Sequence, residues 1–160
     1  MRLTSTPALL RAVVEILQAK LPVEVQAYGL PALTAIQDWE PPAGTMAANT
    51  PLVWVNIPRI RPGSPAGAGG PNATHTRTRT IEVFAAVAGQ DQSATNAALY
   101  AYTDLIQAII SASRNPKGQG HWLRWRGTDY SPNAGRQTTA LYREGVVLCE
   151  CDLWQELGAD

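Results

Sequence analysis

The chain has 160 residues, 45% of them apolar, and its thirteen Lys and Arg cancel its thirteen Asp and Glu. That length suits one domain with a real core, burying about two-thirds of the surface of the extended chain. The balance gives no global field toward nucleic acid or acidic membranes, and no apolar run approaches the roughly 20 residues of a membrane span.

The first residues do not read as a signal peptide, because Arg11, Glu15 and Lys20 interrupt the apolar pattern that follows them. Thr6-Pro7 is a good helix start, with Thr6 as N-cap and Pro7 at the first helical position. Leu9, Leu10, Val13, Val14, Leu17 and Leu21 then recur at helical spacing. Pro22 is expected to end this helix, and Val23 to Tyr28 alternates like a short strand closed by Gly29. Residues 30 to 51 carry four prolines and read as an irregular connection, with a short strand near Ala35 to Trp39.

Two longer strands follow, Leu52 to Arg61 and Thr74 to Val87. Pro62 to Ala73 between them has no large side chain, and such a tract buries too little apolar surface to offset its ordering entropy. Pro58 marks an edge or a bulge. In the second strand Ile81, Val83, Ala85 and Val87 make one apolar face, and before Ile81 the pattern turns polar. The pair reads as an extended hairpin arm spanning 59–79, with Arg59, Arg61, Arg77 and Arg79 on its shanks. These four arginines are candidate contacts to a neighbouring subunit or another protein.

Gly89 to Ser93 breaks the strand, and a second helix is expected from about Ala94 to Ser113, capped by Asp91 or Ser93. It is apolar enough to be covered on more than one side. Asn115 to Gly120 ends it. His121 to Arg126 alternates as a strand, with His121, Leu123 and Trp125 on one side and Trp122, Arg124 and Arg126 on the other. Asp129 to Gly135 is turn-forming, and Thr138 to Gln155 is one long strand or a bent pair, with Gly145 permitting a bulge. The whole is α+β: one domain over 1–160, an antiparallel sheet with a protruding hairpin and two helices packed on it.

Chemistry is sparse. Cys149 and Cys151, two apart on a strand, share a face, are badly placed for a disulfide, and read as small buried hydrophobes. Two histidines cannot complete a zinc site with them. The glycines between Pro62 and Ala73 neither follow a βα turn nor open a helix, so they make no phosphate loop. No serine sits in a nucleophile elbow. Glu150 and Asp152 share a strand face, where a solvated face is the expectation over a cation site or a catalytic pair. An enzyme is not expected, nor a cofactor. The rival signal is Trp122, Arg124 and Arg126, an aromatic and basic surface of the kind on which single-stranded nucleic acid stacks. Zero net charge disfavours that reading.

The opening Leu9 to Leu17 helix, Leu52-Val-Trp-Val55, Thr80 to Phe84 ahead of Ser93 to Tyr100, and the closing strand Glu144 to Trp154 together resemble the tail-terminator proteins of long-tailed bacteriophages. The resemblance spans nearly the whole chain and is one of layout. It implies a virion protein assembled in the host cytoplasm as a ring, usually a hexamer, with genomic DNA passing through its lumen. Its partners would be further copies of itself, the tail-tube protein and a head-completion or connector protein; other neck proteins share much of this layout. A ring needs two different surfaces that fit each other. The basic arm and an acidic partner surface of Glu150, Asp152 and Glu156 offer such a pair.

Overall fold

The computed structural model describes residues 6–42, 47–66, 74–118, 121–131, 135–137 and 140–155. Two helices, α1 (Thr6–Ala27) and α2 (Gln92–Ala112), pack on one side of a sheet. Its strands are β1 (Ala35–Gln37), β2 (Leu52–Ala66), β3 (Thr74–Gly89), β4 (His121–Tyr130), β5 (Gly135–Gln137) and β6 (Ala140–Gln155). They lie in the order β1-β2-β3-β6-β4, and β5 extends the row beside β6.

Pro22 does not end α1, which continues for five residues beyond it. A proline inside a helix costs about 3 kcal/mol through a lost hydrogen bond and a clash with the preceding turn. The stripe Leu9, Val13, Leu17, Leu21 and Val25 is buried throughout its length, so stopping at Leu21 would leave Val25 in water. Burying a valine offsets about 1.5–3 kcal/mol of that cost. Gly29, at φ +68, then closes the helix, with Leu30 N–H donating to Val25 O and Gly29 N–H to Gln26 O. This left-handed closure satisfies carbonyls the last turn leaves open. The alternation from Val23 to Tyr28 was therefore the tail of a helical stripe, and Val23 itself is exposed.

Helix α2 begins where Asp91 accepts Ala94 N–H at 2.7 Å and runs close to its expected length. Leu99, Tyr102, Ile106 and Ile110 are fully covered by the sheet and α1. The helix side of the sheet contributes Val53, Val55, Ile81, Val83, Val147, Cys149 and Cys151 to the same core. Both cysteines are free and buried, and burial pushes the Cys149 thiol up to about 12, with neighbouring Cys151 adding to it.

The sheet departs from an all-antiparallel one at β1, which lies parallel to β2 in the register Ala35↔Leu52 to Gln37↔Trp54. The long connection over residues 38–51 permits this parallel pairing, which a tight turn would not. Strand β2 also runs further than the small-residue tract suggested, through Pro62 to Ala66. Its pairing with β3 is interrupted twice, between Asn56 and Arg59 and between Pro62 and Pro65, so the irregularities fall at its prolines. Strand β6 stays beside β3 as far as His75↔Gln155, making the outer region three strands wide where a two-stranded ribbon was expected.

Gly145 marks no bulge: it pairs in step with Ala85 and with Tyr130. A methyl group there would come within 3.1 Å of the Tyr130 ring and 3.0 Å of Thr103, so glycine leaves room for the ring. Tyr130 sits edge-on against Tyr100 and shares a 2.9 Å hydrogen bond with Thr103, which ties β4 to α2. The bulges lie instead in β4, between His121 and Arg124 and between Trp125 and Gly127.

Candidate assembly surface

Strand alternation leaves one face of the sheet away from the helices. At one end of that face Trp54 stacks on Phe84, with centroids 4.9 Å apart and planes 3° from parallel. Leu52, Trp54, Ala86 and Tyr142 form a second, smaller buried cluster there. The Tyr142 hydroxyl donates to Glu144, and burial together with Glu144 and Glu40 holds its proton well above the usual tyrosine range.

Toward the other end the face turns polar. Thr78 donates to Asp152 at 2.9 Å, and Arg124 reaches the same carboxylate at 3.0 Å. Arg126 pairs with Glu150, Nε to Oε2 at 2.7 Å. These pairs join β3, β6 and β4 across the face. Each is partly exposed, so water and salt weaken it and its share of stability is small.

The expected site residues thus fall into three groups. Glu150 and Asp152 are brought together with Arg124 and Arg126 inside one chain. Arg79 lies on the helix side of β3, opposite Cys151, and is only 6% exposed where an exposed shank was expected. It shares the strand parity of Ile81, and a long side chain can lay its apolar stem along the core. Arg59, Arg61, Arg77 and Trp122 stand on β2, β3 and β4 with side chains outside the described residues, and Glu156 lies outside them altogether.

Three features escaped the sequence reading. One is a cleft of about 360 Å³ where the end of α2 meets β4, lined by Ser111, Arg114, Leu123, Arg124 and Trp125. Trp125, on the outer strand β4, is 42% exposed. Another is Trp39, 56% exposed beside Pro41 and Pro42 at the β1 end. The clefts near Phe84 and near Leu52, about 220 and 230 Å³, fall below the roughly 300–1,000 Å³ usual for small-ligand sites. The third is Lys117, at φ 48, whose ammonium pairs with Glu15 and lowers that carboxyl's pKa. Among the described residues no three of His, Cys, Asp or Glu gather as a metal ion would require. No described helix is long and apolar enough to cross a membrane.

No family model matches the chain, and no curated protein does. Among solved structures the chain is similar to one described as "Virion of native gene transfer agent (GTA) particle". The match covers 91% of this chain and 94% of that one, at 12% identity and a TM-score of 0.50. At that identity the likeness is one of fold.

Proposed function

We propose that this chain is a structural protein of a virion, and that it works as a ring-forming tail terminator at the junction of tail tube and head. The observation that carries the reading is the fold shared, over nine-tenths of both chains, with a chain of a virion particle. The layout that resembles tail terminators supports the finer role. So does the sheet face without helices, whose mixture of half-buried apolar and ion-paired residues suits contact with other proteins. Another station in the neck, as a connector between head and tail, would use the same surfaces.

A nucleic-acid-binding module is the weaker reading, because Arg124 and Arg126 already hold Asp152 and Glu150. Phosphate contacts would have to displace those carboxylates. The partners of the proposed role are further copies of the chain, the tail-tube protein and a head-side protein.

Light scattering on the chromatographed protein, with and without isolated tail tubes, tests the proposal. Ring-sized particles, or binding that is confined to tube ends, are the expected result. A protein that stays monomeric and ignores tubes would overturn it. Removing residues 63–72 tests the arm, since intact ring and tail assembly without them would exclude it as a contact.

A further inference from the structure

We propose that residues 38–42, which lead out of β1, form a strap that lifts off the helix-free face by itself. Lifting bares the aromatic end of that face while the rest of the fold stays intact. The inference stands on geometry alone; under the function proposed above, the closed strap keeps that end of the face from partners. Three observations carry it.

The first is what the strap hides. Leu52 and Trp54 are 2% exposed and Tyr142 8%, on the side of the sheet away from the helices. A ring standing on a bare sheet face is wetted from above, so another segment lies over it. The cover shown by the described residues is the strap. Pro41 is buried and lines one hollow with Leu52 and Ala35, and the charge of Glu40 acts on the Tyr142 hydroxyl.

The second is how lightly the strap is held. Asp38, Trp39, Glu40 and Pro42 are exposed, and Pro41 is the one buried residue of the five. A hollow of about 230 Å³ remains between Trp39, Pro41 and Pro42 and the sheet residues Ala35, Gln37 and Leu52. Side chains that face such a gap forfeit the dispersion contacts of a close-packed core. None of the five residues joins the helix-side core. A segment with so few buried apolar contacts opens at a free energy well below that of global unfolding.

The third is charge. The Tyr142 hydroxyl donates its one proton to Glu144, so it cannot also bind Glu40. Two carboxylates then share one phenol, and their repulsion, thinned by solvent at exposed Glu40, works against closure. Wetting Leu52, Trp54 and Tyr142 works the other way, so the closed form prevails and opening is transient.

Thiol labelling of two chains altered at neighbouring residues tests this. Leu52→Cys places a thiol beneath the strap, and Val53→Cys places one in the helix-side core, at a residue 0% exposed. Native Cys149 and Cys151, equally buried there, report global unfolding in both chains. Leu52→Cys should react at least about 100-fold faster than the thiols of the core, with a much shallower dependence on urea. Pro41→Gly, which removes the buried ring, should speed it about tenfold further and leave labelling of Cys149 unchanged. Ala86→Cys, a smaller change in the same cluster, repeats the measurement where Leu52→Cys fails to fold. Labelling that keeps pace with Cys149 at every urea concentration would overturn the strap. So would a Pro41→Gly chain that labels no faster, or one in which Cys149 speeds up as well. The rates are read on the chain alone, so they stand apart from any test of assembly.

Discussion

Ile81, Val83 and Ala85 of β3 are all but inaccessible, while Thr80, Glu82 and Phe84, one step along the same strand, are half-buried. The same contrast divides Val147, Cys149 and Cys151 of β6 from Val146, Leu148 and Glu150. One side of the sheet is filled by α1 and α2 and tolerates little. The other is a mosaic of aromatic stack, aliphatic patch and ion pairs, whose groups can exchange partners. Under the proposed function, stability and association fall on opposite sides of the same strands, and substitutions should separate them.

The largest effect is expected on the helix side. Leu17→Ala removes a fully buried side chain and should cost about 2–5 kcal/mol, read as a lower urea midpoint with an unchanged slope. Gly89→Ala should follow at about 1–3 kcal/mol. Its methyl would lie 2.4 Å from the hydroxyl oxygen of Thr95, a buried residue held by a 2.6 Å bond to Asp91 O. An undiminished melting temperature would mean that this start of α2 is looser than its packing suggests.

Tyr102→Phe removes a 2.6 Å hydrogen bond to Pro31 O and should cost about 0.5–1.5 kcal/mol at neutral pH. Burial pushes the Tyr102 hydroxyl up to about 12 from 10.0. A group whose folded pKa is raised gives stability that is whole below the unfolded value and is lost as pH climbs through the folded one. The unaltered protein should therefore weaken between pH 10 and 12, and Tyr102→Phe should flatten that decline in a pH series of denaturation curves. Smallest is Arg126→Ala on the open face. Its half-exposed pair with Glu150 is worth under about 1 kcal/mol, so denaturation should scarcely move. Loss of oligomers by this variant without loss of stability would sharpen the division; a large drop in melting temperature would break it.

Much of this division was legible before any coordinates. The apolar parity of Ile81 to Val87, the N-cap at Asp91 and the irregularity at Pro58 all follow from local chemistry that the fold then respects. The misreadings share a cause. Val23 and Val25 fit both a strand and the last turn of a helix, and only the core that covers Val25 decides between them. Likewise β1 takes its direction from a neighbour distant in sequence, and Gly145 answers to a tyrosine ring from another strand. The candidate surface was least legible. Arg124 and Arg126 look like free cations in the sequence until β6 brings Asp152 and Glu150 beside them. Trp125 looks like core until β4 proves to be the last strand of the row.

The prolines of β2 have one more consequence. Past Trp54 this strand has β3 on one side and no described strand on the other, a long margin of the sort that nucleates fibrils. Pro58, Pro62 and Pro65 each lack an amide hydrogen, and the two slips in register bend the row of donors out of line. Chains crowded together at high local concentration would find no continuous template there to zip onto. Strand-by-strand growth along this margin is thereby disfavoured, whatever other surfaces the chain offers.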